Sequence, residues 1–163
     1  MAENLADRLG ALEDRDAILE LRATYCFLVD DGHFDELVDH WFTPDARCDF
    51  RSTVEGGLGP FVANGREEVR AFFSGVVAST LRGMRHTVHN DRIALDGDRA
   101  SGDCYFELTG IDVASGEPVI GAGRYIDEYL RVDGAWRFAE RRAEIDFIAP
   151  LGAGWVKQRF PAR

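Results

Sequence analysis

"PVIGAGRYIDEYLRVDGAWRFAERRAEIDFIA", residues 118–149, consists of two strand-like segments rich in β-branched and aromatic residues, joined by the dipeptide Asp133-Gly134. Asp-Gly supplies the left-handed backbone that a two-residue hairpin turn requires. The same pattern precedes it. "MRHTVHNDRIAL" (84–95) and "RASGDCYFELTGIDV" (99–113) are strand-like, and "DGD" (96–98) and "SGE" (115–117) are turn chemistry. The second half of the chain is therefore predicted to be an antiparallel meander of long strands, and strands of that length curve.

The first half differs. From Asp16 to Asp31 the apolar positions Ile18, Leu19, Leu21, Tyr25, Cys26, Leu28 and Val29 cover an arc of about 180° at 100° per residue, the mark of an amphipathic helix. Phe27 lies off the arc, Arg22 lies within it without an evident partner, and Gly32 ends the helix. A short helix follows in "FDELVDHWF" (34–42), stopping before a turn at "TPDA" (43–46), where Pro44 disfavours helix. A strand is expected in "ARCDFRS" (46–52), and "EGGLGPFVANG" (55–65) is expected to be a long loop without the ending of a phosphate loop. Asn64 and Glu67 have capping-box spacing ahead of a third helix in "NGREEVRAFFSGVVAST". Helices first and strands afterwards predict an α+β fold: a cone-shaped barrel with N-terminal helices on a strongly curved, mostly antiparallel sheet.

At 163 residues and 45% hydrophobic content, the chain 1–163 suits one domain with a core large enough to leave a pocket. A formal charge of −10 disfavours nucleic acid as a partner. No apolar run is long enough to span a bilayer and the N-terminus lacks the pattern of a signal peptide, so the expected location is cytoplasmic. Cys26, Cys48 and Cys104 lack CxxC spacing and read as core residues. His86 and His89 lie three apart on a strand and point to opposite faces, which argues against a shared metal.

"YCFLVDDGH" (25–33) places two acids at the carbonyl end of the first helix, where the dipole disfavours negative charge. On the helical wheel Asp30 borders the apolar arc and Asp31 lies on the polar side. An inward Asp30 and an inward His86 would form a carboxylate–imidazole pair able to move a proton to or from carbon; the alternative is a core histidine capped by a structural acid. Alternation in "CYFELTG" puts Cys104, Phe106 and Leu108 on the pocket face.

The stretches "DRDAILELRATYCFLVDDGHFDELVDHWFTPDARCDF", "MRHTVHNDRIALDGDRA" and "GRYIDEYLRVDGAWRFAERRAEID" resemble the SnoaL-like branch of the nuclear transport factor 2 superfamily, particularly its scytalone dehydratase-like members. The resemblance implies a cone of helices around a bent sheet with the pocket inside. It also implies a cofactor-independent lyase or isomerase acting on a small hydrophobic cyclic compound, with no metal. It assigns the catalytic positions to Asp30, His86 and Tyr25, and it places Val29, Phe50, Tyr125, Phe147 and Trp155 with Cys104, Phe106 and Leu108 around the substrate. Phe50 stands where scytalone dehydratase has a water-orienting tyrosine, so that enzyme's own activity is not carried over. The same fold serves as a non-catalytic small subunit of ring-hydroxylating dioxygenases and as a polyketide cyclase, and both alternatives remain open. The resemblance further implies a homo-oligomer, a trimer ahead of a dimer. The segment "FIAPLGAGWVKQRFPAR" (147–163) is expected to be a lid or a subunit-contact arm.

Overall fold

The long helix α1 runs Leu5–Asp30, eleven residues longer at its start than the apolar arc suggests, as the computed structural model shows over the residues it describes, 4–53 and 59–153. The Asn4 side chain accepts the Asp7 N–H at 3.0 Å and caps the helix. Leu5, Leu9 and Leu12 in the added turns are exposed, so no core-facing stripe betrays them in the sequence. Gly32, at φ 76°, ends the helix as expected. The short α2 (Phe34–Glu36) continues as a π-helical turn over Leu37–Trp41.

The turn expected at "TPDA" does not form. β1 spans Phe42–Ser52, and its pairing with the last strand is irregular between Phe42 and Arg47. Pro44 lies in that irregular stretch, where a missing N–H costs no ladder bond. Part of the expected loop also pairs: β2 (Phe61–Asn64) runs antiparallel to β1. α3 (Gly65–Ala71) follows, then a π-helical segment Phe72–Val77 and α4 (Ala78–Thr80). The capping box is not formed as read. Asn64 is held extended by β2 and its side chain caps nothing, while its N–H donates to Glu68, not Glu67, at 2.8 Å.

The meander is present as β3 (Leu81–Asp96), β4 (Arg99–Asp112), β5 (Pro118–Val132) and β6 (Ala135–Pro150). Asp133 and Gly134 both have positive φ, 53° and 79°, as a two-residue hairpin turn demands. The sheet order is β2-β1-β6-β5-β4-β3, antiparallel except where β1 runs parallel to β6. Register shifts interrupt the β3–β4 and β5–β6 ladders. Such bulges bend strands and increase their twist, which curls the sheet around α1 and α3 into the expected α+β cone. Among the described residues no helix is long and apolar enough to cross a membrane.

Candidate active site

Asp30 is the last residue of α1, and its carboxylate turns into the cone while Asp31 stays exposed. Its Oδ1 lies 2.5 Å from Nδ1 of His86, and its Oδ2 accepts the His86 backbone N–H at 2.8 Å. The two side chains are 7% and 5% exposed. An ionised carboxylate can only accept, so Nδ1 carries the ring proton of a neutral His86 and Nε2 keeps its lone pair. His86 lines a cavity, so the free nitrogen is the one available to a ligand. His89 faces the other way, its ring 6.0 Å from that of Tyr105 on the outer face. Among the described residues no three His, Cys, Asp or Glu side chains come together as a metal site.

The cavity has a volume of about 90 Å³. Its wall is largely apolar: Val29 from α1, Phe50 from β1, Phe72, Phe73, Val76 and Val77 from the π-helical segment between α3 and α4, and Phe106, Leu108 and Ile145 from the sheet. Phe106 stacks on Tyr125 at 4.4 Å between ring centroids. Gly123 makes that possible, since a Cβ there would lie 2.7 Å from the Phe106 ring and 2.2 Å from the Glu144 carbonyl. The polar side chains of the wall are Tyr25, Thr80, His86 and Tyr125, and the Thr80 hydroxyl donates to the Val76 carbonyl at 2.7 Å.

Tyr25 and Tyr125 rest on a buried cation. The Arg141 guanidinium carbon is 3.9 Å from the Tyr25 ring centroid and 4.2 Å from that of Tyr125. Burial alone would work against the Arg141 charge, but Asp127 holds it charged by two hydrogen bonds, 2.9 and 2.8 Å. Burial raises both phenols well above their ordinary pKa and Arg141 opposes that rise only in part, so both remain neutral donors. The layer extends away from the cavity: Tyr129 donates to Asp127 at 2.7 Å and accepts from Arg22 Nε at 2.6 Å, and Arg22 also pairs with Asp91.

The structure thus brings Asp30, His86, Tyr25, Val29, Phe50, Phe106, Leu108 and Tyr125 to one place. Two expected residues do not line it. Cys104 faces inward but lies deeper, near the Arg22 and Arg141 charges. Phe147 is buried on the opposite side of β6, because the register shift next to Gly123 makes Ile145 and Ile148, rather than Phe147, face the cavity. Trp155 lies outside the described residues, as do the last ten residues of the segment read as a lid or arm. The sequence reading missed the helical wall of Phe72, Phe73, Val76 and Val77, whose spacing was read for helix but not for the face it presents. It also missed Arg141 and Asp127. A second shift, between Glu128 and Tyr129, lets Phe138 and Arg141 both face inward although alternation would separate them.

No protein of curated function matches the chain. The crystal structure of LinA superposes with a TM-score of 0.78 at 26% identity, covering 95% of this chain and 99% of that one. A hexachlorocyclohexane dehydrochlorinase, LinA type 2, gives 0.76 at 25% identity, covering 90% and 95%. A provisionally assigned scytalone dehydratase from Novosphingobium aromaticivorans gives 0.73 at 22% identity over 88% and 97%, which bears on the fold alone. The family model for the SnoaL-like domain matches residues 10–142. The chain therefore belongs to the SnoaL-like domain family of the nuclear transport factor 2-like superfamily.

Proposed function

We propose that the chain is a cofactor-independent lyase, or an isomerase, for a small uncharged cyclic substrate. The carrying observation is the Asp30–His86 pair opening on an apolar cavity. His86 Nε2 takes a proton from a ring carbon next to the one that bears the leaving group, more readily where a carbonyl adjoins it, and Asp30 stabilises the imidazolium that forms. The C–H electron pair becomes a carbon–carbon double bond as the neighbouring group leaves with its own bonding pair. If that group is hydroxide, the imidazolium protonates it to water; in an isomerisation the proton returns to another ring carbon. Tyr25 or Tyr125 donates to the substrate oxygen on which charge develops. Similarity to a dehydrochlorinase supports elimination as the reaction class.

The test is to incubate the protein with cyclic β-hydroxy ketones, cyclic enones and hexachlorocyclohexane, following double-bond formation or migration by ultraviolet absorbance and gas chromatography. Turnover in the wild type should fall by roughly a hundredfold to ten-thousandfold in folded His86→Gln and Asp30→Asn. Turnover unchanged in folded His86→Gln overturns the reading. A second reading, a ligand-binding or assembly subunit, draws on the exposed Leu5, Leu9, Leu12 and Phe27 of α1. It predicts binding of the same compounds without turnover.

A further inference from the structure

β3 changes faces twice. Leu81 points inward, then Met84, His86 and Val88, then Asp91 and Ile93: odd-numbered, even-numbered and odd-numbered positions in turn. A regular strand keeps one parity on one face. The changes fall at two bulges against β4. One lies between Arg82 and Arg85, where Gly110 opposes two residues, and the other between His89 and Arg92, where Cys104 does. Each contains one residue with left-handed backbone, Gly83 and Asn90, both at φ 59°.

The second bulge bears on His86. Helix α1 presents Arg22 and Asp30 about two turns apart, close to one face. Arg22 pairs with Asp91 and Asp30 with His86. His86 and Asp91 are an odd number of residues apart, so without an extra residue between them they would point to opposite faces and only one pair could form. Among the described residues β3 is also the end strand of the sheet, paired with β4, so its fit to α1 rests on these two ionic contacts and the Arg15 bond to the Ile93 carbonyl (2.8 Å) as well as on β4.

We propose that Asn90 is a positioning residue for His86: its left-handed backbone forms the bulge that lets Arg22 close on Asp91 while Asp30 closes on His86. Its importance for turnover rests on the reading of His86 given above, but the geometry can be tested without substrate. Asn90 is exposed, and asparagine and glycine adopt this backbone readily whereas β-branched residues do not. The experiment compares Asn90→Gly, Asn90→Val and Asn90→Ala in the full chain, reading the imidazole Nδ1 proton of His86 by ¹H–¹⁵N NMR with circular dichroism as the control for folding.

Asn90→Gly should exchange the His86 Nδ1 proton at the wild-type rate. Asn90→Val should lose it to solvent, and Asn90→Ala should exchange it on the order of tenfold faster than Asn90→Gly. A folded Asn90→Val or Asn90→Ala protein with the exchange rate of Asn90→Gly overturns the proposal. So does unfolding of both beside a folded Asn90→Gly, since Asn90 would then serve the fold as a whole. Because turnover is not the readout, a chain that binds ligands without transforming them leaves this result standing, and the two failures are told apart.

Discussion

Arg141 and Asp127 meet in a bidentate pair, with hydrogen bonds of 2.9 and 2.8 Å and neither side chain reached by solvent. Removing one partner strands the other's charge in the core. Asp127→Ala should therefore cost about 3–5 kcal/mol in urea denaturation. The double change Arg141→Met with Asp127→Leu should recover most of that loss, because two matched apolar side chains leave no charge unpaired. A loss below about 1 kcal/mol for Asp127→Ala would place the pair among solvated ones.

Alkaline pH should unfold the protein earlier than its tyrosines alone would require. Burial pushes the Cys26 and Cys48 thiols up to about 12 and the Cys104 thiol to about 11. In the unfolded chain these groups ionise near an ordinary value of about 8.5. A folded pKa raised in this way gives stability that is complete below the unfolded value and is lost as pH climbs from there toward the folded one. The urea midpoint should hold from about pH 7 to 8 and fall between about pH 9 and 11, with a shallower fall in Cys48→Ala. Tyr25, Tyr125 and Tyr129, also raised by burial, add a loss of the same sign above about pH 10. A midpoint flat to about pH 11 would show that the thiols are hydrated in the fold.

Tyr125→Phe keeps the ring that stacks on Phe106 and removes only the hydroxyl. Affinity for a cyclic ketone, measured by calorimetry, should fall about threefold to tenfold. If neither Tyr25→Phe nor Tyr125→Phe changes affinity, both rings belong to the core alone.

The elements whose signals are local were legible in the sequence. Asp133-Gly134, Gly32 and the apolar arc from Ile18 to Val29 each specify their structure through neighbouring residues, and the inward turn of Asp30 followed from the same wheel. Bulges were not legible, because an extra residue in a ladder is specified by the partner strand. Phe147 turns away from the cavity at one such bulge, and Arg141 turns inward at another. Arg22 was seen to sit oddly in an apolar arc, but its partner Asp91 lies far along the chain, inward only because of the bulge at Asn90. The N-terminal turns of α1 escaped because their leucines face solvent and so leave no amphipathic trace.

The last turn of α1 carries no basic residue, and Asp30 and Asp31 sit at its carbonyl end. Each acid there opposes the helix dipole by about 0.3–1 kcal/mol. Asp30 offsets that cost through its bonds to His86, whereas the exposed Asp31 has only the cost. A mutant library of this chain enriched only for survival at high temperature would tend to replace the exposed Asp31 and keep Asp30, whose two hydrogen bonds to His86 outweigh the dipole cost. Engineering for heat tolerance on this scaffold therefore leaves the partner of His86 in place.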